Sequence, residues 1–216
     1  MKTLLHISDL HFNQLYFDWI TRQQEQHAVI CITGDFLDTQ ESNLDEQIDW
    51  IKRWFNHFKI PVFICSGNHD IVYFEQDDWF NEIDNPLVFS DESITRIQGF
   101  TIACYPYIGG MGYEEYSACD ILLHHIPPAH TCVAKTQQNE DWGDRALYLA
   151  LKQGTMSPQL VLSGHVHKPQ AYEDKLGNTR LINPGVDNNT PHFQIINLAD
   201  LSEQLALNFL PLQQKA

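Results

Sequence analysis

Nine side chains of three kinds, Asp, His and one Asn, follow short apolar runs in this sequence, and those kinds bind metals through oxygen and imidazole nitrogen. Leu4-Leu5-His6-Ile7 leads to Asp9 and His11, and Val29-Ile30-Cys31-Ile32 to Asp35. Val62-Phe63-Ile64 leads to Asn68 and His69, Ile121-Leu122-Leu123 to His124 and His125, and Leu160-Val161-Leu162 to His165 and His167. One Asp or His past a strand is ordinarily a turn or capping residue. Five such placements in succession are hard to ascribe to turn chemistry and point to a metalloenzyme. Without sulfur, the donor set favours Mn, Fe or Zn in a reactive site over a structural thiolate site.

These donors exceed what one ion needs. Asp35 follows Gly34, which lets the backbone turn tightly, and its two carboxylate oxygens can bridge a pair of ions. Two ions held about 3.5–4 Å apart can clamp the attacking and leaving oxygens of a phosphoryl transfer.

For these residues to meet, the runs must be strands of one assembly. Apolar runs rich in β-branched residues and closed by Gly or Asn read as strands buried on both faces, and residues past the carboxyl ends of such strands gather at one sheet edge. The pattern predicts strand Thr3 to Ile7, helix Leu15 to Gln24, strand Ala28 to Thr33, helix Leu44 to Phe58 and strand Pro61 to Ser66, a βαβαβ run. In the second helix Leu44, Ile48, Ile51, Phe55 and Phe58 share one face, and Asn43 with Glu46 makes a capping pair. Later strands are expected at Ser93 to Ile97, Phe100 to Cys104, Ile121 to Leu123, Leu160 to Ser163, Gln170 to Glu173, Thr179 to Ile182, Phe193 to Asn197 and Leu205 to Phe209, with one helix from Asp144 to Gln153. The expected fold is α/β: a parallel first sheet, a more antiparallel second sheet and helices outside both, a four-layer α/β/β/α sandwich with a dimetal site at the strand carboxyl ends. The loops Tyr105 to Ala118 and Ile126 to Trp142 are long enough to shape a pocket.

The chain of 216 residues is sized for a single domain, 1–216. With 13 Lys and Arg against 28 Asp and Glu, its formal charge of −15 lacks the basic footprint that long nucleic acid requires. Five cysteines without a CxxC pair read as reduced core residues of a cytoplasmic protein. Asp9 arrives too early for a signal-peptide core, so the mature chain is expected to start near Met1, and no stretch is apolar enough for a membrane span.

Asp9-Leu10-His11, Gly34-Asp35-Phe36-Leu37-Asp38, Gly67-Asn68-His69-Asp70, His124-His125 and Gly164-His165-Val166-His167 resemble, in order, the five signature blocks of the calcineurin-like metallophosphoesterases. The resemblance implies one metal on Asp9, His11, Asp35 and His167, and a second on Asp35, Asn68, a mid-chain His and His165. His125-Ile126-Pro127 matches the family's His two residues before a Pro, which selects His125 over His124. The resemblance further implies attack on phosphorus by a metal-bridging hydroxide, with His69 protonating the leaving oxygen. Asp70 is then expected to fix the His69 tautomer, or to serve as a turn residue, and Asp38 to be structural.

Thr39-Gln40 after Asp38, and Asp70 closing the third block, differ from the serine/threonine protein phosphatases of the superfamily. His69 differs from the Arg usual in lipid A pathway pyrophosphatases, and the length and charge differ from the repair nucleases. Leu5-His6-Ile7-Ser8-Asp9-Leu10-His11 resembles the bacterial branch that acts on small phosphodiesters. The reading is a phosphodiesterase on a small nucleotide-like substrate. A phosphomonoesterase, a nuclease of the same superfamily or a non-catalytic scaffold are the alternatives. The tyrosines of the Tyr105 to Tyr116 loop either offer faces to a nucleobase or simply pack, and Asn183-Pro184-Gly185 reads as a Pro-Gly turn without chemistry.

Overall fold

A computed structural model describes residues 2–71, 79–187 and 189–201. Strands β1 (Thr3–Ile7), β2 (Val29–Thr33), β3 (Val62–Cys65), β4 (Val88–Phe89) and β11 (Gln194–Asn197) form the first sheet, in the order β11-β1-β2-β3-β4. The second contains β5 (Ile94–Ile97), β6 (Phe100–Tyr105), β7 (Ile121–His124), β8 (Leu160–Leu162), β9 (Glu173–Leu176) and β10 (Thr179–Ile182), in the order β5-β6-β7-β8-β10-β9. Among the described residues three α-helices flank them: α1 (Gln14–Gln23), α2 (Leu44–Phe55) and α3 (Arg145–Gln153).

The period-2 alternation of the strands divides the core into three apolar layers. Leu5, Ile7, Ile30, Ile32, Val62 and Ile64 point outward from the first sheet onto Phe17 and Ile20 of α1 and Ile51 and Phe55 of α2. Leu4, Val29, Cys31, Phe63 and Cys65 point inward and meet Ile102, Cys104, Leu123 and Leu162 of the second sheet. On its far face Ala103, Leu122, Val161 and Leu181 pack against Leu147 and Ala150 of α3. The result is the expected α/β/β/α sandwich. All five cysteines are free, with Cys31, Cys65, Cys104 and Cys119 buried and Cys132 exposed. Among the described residues no helix is long and apolar enough to cross a membrane.

The second sheet is the more antiparallel of the two, as expected, but neither sheet is of one kind. The first sheet is parallel from β1 to β4 but gains β11 as an antiparallel edge. The second is parallel at its centre, β6-β7-β8-β10, and antiparallel only at its outer pairs. The connections 106–120 and 125–159 each return to the start of the sheet, so the next strand runs the same way. The strand expected at Gln170 to Glu173 lies instead at Glu173–Leu176, because Gly177, with φ 61°, closes a two-residue hairpin to β10. The strand expected at Leu205 to Phe209 lies outside the described residues. Helix α2 ends at Phe55, and tighter bonds from the N–H groups of Asn56, His57 and Phe58 carry Phe58 into the core. Asn43 caps no backbone N–H there; its amide contacts Glu46 and Gln47 side chains.

Asp144 holds the third layer to the second sheet. Its carboxylate caps α3 by accepting from the N–H groups of Ala146 (2.6 Å) and Leu147 (3.2 Å). It also accepts the Tyr113 hydroxyl (2.5 Å) and lies 3.3 Å from His124 Nε2. Burial alone would raise its pKa, but the bonds from His124 and Tyr113 outweigh burial and hold the carboxyl well below the usual range. A depressed folded pKa contributes stability that is complete above the unfolded value, about 4, and is lost as pH falls through the folded one. The difference in urea midpoint between wild type and Asp144→Asn is therefore expected to be widest near pH 7 and to shrink below about pH 4. A difference that stays constant down to about pH 3 would show that no linked charge is involved.

Candidate functional site

The parallel strands β1, β2, β3, β7 and β8 all end at the same edge of the sandwich, and the loops that follow them are tied together by their main chains. Asp9 N–H donates to Gly34 O (3.1 Å), His11 N–H to Asp35 O (2.9 Å) and Gly164 N–H to His125 O (2.9 Å). Non-glycine residues take left-handed backbone here: Asp9 (φ 54°), His11 (41°), Phe12 (49°), Asp35 (56°) and His165 (67°). Such conformations are sparsely populated and cluster where a site is over-determined by its surroundings. Glycines let the loops touch. A Cβ on Gly67 would lie 2.2 Å from Asp35 Oδ1, one on Gly34 2.4 Å from His125 Nδ1, and one on Gly164 1.7 Å from Ser8 Oγ.

All seven sequence-predicted donors meet at this edge. Asp9, His11 and His167, then His11, Asp35 and His69, then Asp9, Asp35 and His125 form overlapping groups whose ligand atoms lie within 4.8 Å of one another. Asp35 Oδ2 stands between two halves, 4.0 Å from His11 Nε2 and 3.4 Å from His125 Nε2. On the first side His167 Nε2 is 3.4 Å from Asp9 Oδ1 and 3.2 Å from His11 Nε2. On the second, Asn68 Oδ1 is 3.2 Å from His125 Nε2 and 3.0 Å from His165 Nδ1.

The chemistry of this set fits metal ions. His125 Nδ1 is 2.8 Å from Thr33 O, a carbonyl that can only accept, so Nδ1 carries the proton and a neutral ring turns the Nε2 lone pair inward. That lone pair faces Asn68 Oδ1, and His11 and His167 present Nε2 atoms to each other, arrangements that a bound cation would suit. Burial opposes charge on His125, yet Asp35 and Asp9 prevail and push its pKa up to about 9, so this point draws positive charge. Burial and the neighbouring His125 bring His165 down to about 4 and keep it neutral. Burial would raise the carboxyl of Asp35, but His125 and the N–H of His69 hold it below its usual range.

His124, adjacent to His125, turns to the other side of β7, where it meets Asp144 and the Tyr105 ring. Asp38 serves the turn before α2, accepting from Gln40 N–H (3.0 Å). The expected pairing of Asp70 with His69 is corrected. His69 Nδ1 lies 2.6 Å from Thr39 Oγ1, while the buried carboxylate of Asp70 accepts from the backbone N–H groups of Asp35 (2.8 Å), Phe36 (2.8 Å), Leu37 (3.2 Å) and Gly67 (2.9 Å). Burial, then Asp35, push Asp70 up to about 8, with the N–H groups of Gly67 and Phe36 acting in the opposite sense.

Two residues with no chemical signal in the sequence support the site. One is Thr39. The other is Asn183, fully buried, whose amide donates to the carbonyls of Val133 (3.2 Å), Gly164 (2.8 Å) and Val166 (3.1 Å) and so fixes the loop that carries His165 and His167. The tyrosines of the Tyr105 to Tyr116 loop mostly pack: Tyr105 stacks on Tyr113 at 4.4 Å and Tyr116 is buried.

Gly67→Ala is expected to keep its far-UV circular dichroism while Mn affinity, read by calorimetry, falls about 10- to 100-fold, the usual cost of displacing a ligand's support. Unchanged affinity would mean that Asp35 relaxes freely. Asn183→Ala leaves buried carbonyls without a donor and is expected to lower stability by about 1–3 kcal/mol in urea titration.

The sequence matches the family model for calcineurin-like phosphoesterases over residues 2–169. Among curated proteins none matches it significantly. Its fold is similar to that of TT1561 of Thermus thermophilus, with a TM-score of 0.63 at 14% identity, covering 91% of this chain and 99% of that one. It is similar also to a protein described as an archaeal phosphodiesterase (0.53, 15% identity, 92% and 94% covered) and to the sulfate thiohydrolase SoxB of Thermus thermophilus (0.56, 13%, 98% and 61%). These identities speak to the fold alone. The match over most of the sequence, on a sandwich whose Asp, His and Asn side chains converge at one edge, places the chain in the calcineurin-like phosphoesterase family of metal-dependent hydrolases.

Proposed function

We propose that this chain, as one catalytic domain, hydrolyses a small phosphodiester with two metal ions of the Mn, Fe or Zn kind. Asp9, His11, Asp35 and His167 would hold one ion, and Asp35, Asn68, His125 and His165 the other. The observation that carries the reading is the position of Asp35 Oδ2 between both donor groups, with His125 held in the tautomer that turns a lone pair towards it. Bound ions of this kind supply Lewis acidity and neutralise the charge of phosphoryl transfer.

The protein's own residues supply the rest. His69 sits at the mouth of the site, its Nε2 4.0 Å from Asp35 Oδ2, and its ring is braced from behind by Thr39. It is the group that would give a proton to the leaving oxygen. Asp70 acts by position, holding the backbone that carries Asp35. Two grooves open from the donor cluster and share His167. One, of about 460 Å³, is lined by Asn13, Tyr16, Asp38, Gln40 and His69, and the other, of about 350 Å³, by Trp142, Val166 and Lys168. Two grooves suit the two substituents of a diester. Among the described residues no Arg lines either one, as a dianionic monoester would favour.

Metal-stripped protein reloaded with Mn is expected to hydrolyse bis-p-nitrophenyl phosphate faster than p-nitrophenyl phosphate, with no turnover by Asp35→Asn. Preference for the monoester would make the protein a phosphomonoesterase, and a metal-loaded protein inert to both would revive the scaffold reading. His69→Ala should bind Mn as wild type does but lose about 10²- to 10⁴-fold in kcat on diesters with poor leaving groups. A smaller loss would remove His69 as the proton donor.

A further inference from the structure

Trp142 stands apart from the other tryptophans. Trp54 and Trp79 are buried, Trp50 packs edge-on to Phe12 and Phe17, and Trp19 lies against Phe193. Trp142 is 51% exposed, and its ring lies 6.0 Å, centroid to centroid, from His165 of the donor cluster. The segment beneath it is fixed. Trp142 N–H donates to Ala134 O (3.0 Å), and His130 meets Asp141 through its N–H (2.8 Å) and its ring (3.1 Å). Gly143 presses so closely on the backbone of Ala129 that a Cβ would come within 2.4 Å of Ala129 Cα. The backbone that carries this large planar side chain is thus fixed beside the reacting centre, with little main-chain freedom left to lose on binding.

The two grooves differ in chemistry. His69, the proton donor, lines only the polar groove, and Trp142 lines only the other, where Val166 adds apolar surface and Thr136, Gln138 and Lys168 add polar groups. A leaving oxygen must lie by the group that protonates it. The retained substituent therefore runs towards Trp142.

We propose that the Trp142 groove is a nucleobase subsite, so that the base of a nucleoside phosphodiester stacks on the indole while the departing alcohol leaves through the polar groove beside His69. This rests on the phosphodiesterase reading of the site. In the reaction the oxygen of water bonds to phosphorus, the bond from phosphorus to the alcohol oxygen breaks, and that oxygen takes a proton from His69, which regains one from the water. The products are a nucleoside monophosphate and a free alcohol.

The test uses two diesters with the same leaving group, thymidine 5′-p-nitrophenyl phosphate and ethyl p-nitrophenyl phosphate, with Mn-loaded wild type, Trp142→Ala and Trp142→Phe. Wild type should favour the nucleoside diester through a lower KM and release thymidine monophosphate. Trp142→Ala should raise that KM about 10-fold, the order expected of one base–aromatic stack, and leave the ethyl diester unchanged, while Trp142→Phe keeps most of the preference. Equal losses on both substrates, no loss on either, or release of p-nitrophenyl phosphate and thymidine would overturn the proposal. If wild type turns over neither diester, the phosphodiesterase reading fails by itself, and a fluorescence titration decides the subsite. Quenching by adenosine monophosphate but not by ribose 5-phosphate, lost in Trp142→Phe, would uphold it, and its absence would overturn it.

Discussion

The loops after β2 and β3 share one acceptor, the buried carboxylate of Asp70, which gathers N–H groups from Asp35, Phe36, Leu37 and Gly67. Neither loop can shift without the other. A left-handed conformation costs a non-glycine residue about 1–2 kcal/mol, and each ordinary hydrogen bond contributes about 0.5–1.5 kcal/mol, so the N–H groups gathered on Asp70 together suffice to hold Asp35 in its strained geometry. Asp35 in turn accepts from the N–H of His69 (2.8 Å) and faces His125, and the centre is assembled outward from there.

Electrostatics explain why such an assembly can persist in a protein of charge −15. Asp9 and Asp35 are both nearly inaccessible to water, and their proximity is unfavourable unless positive charge lies between and around them. The same carboxylates raise the pKa values of His125 and His167 on opposite sides, the mark of a place that favours positive charge, whether carried by protons or by a bound cation. Charge is thus balanced locally, independent of the acidic exterior.

Much of this was legible in the sequence, for identifiable reasons. Strands such as Val29–Thr33 are buried on both faces and betray themselves as unbroken apolar runs, and donors just beyond them must share the sheet edge. His125 was preferred to His124 through the resemblance of His125-Ile126-Pro127 to the family pattern, and the two rings turn to opposite sides as neighbours on a strand do. The parallel centre of the second sheet was not legible, since it depends on where the long connections return. Contacts distant in sequence were equally hidden. Asn183 serves carbonyls 17 to 50 residues away, and nothing local marks it as more than a turn residue. Asp70 was misjudged because adjacency to His69 suggested pairing, whereas its side chain points under the loops.

The cysteines turn the layering into a timekeeper. Cys31, Cys65 and Cys104 lie in the seam between the two sheets, while Cys119 belongs to the outer layer beneath α3. Burial drives the pKa of all four upward, so none reacts as a thiolate while the layers stay closed. Cys132, exposed at the surface, marks the chemistry of an unprotected thiol in the same molecule. Alkylation of Cys119 ahead of the other three would mean that the helical layer peels from an intact pair of sheets, and simultaneous labelling that the sandwich opens as one cooperative unit.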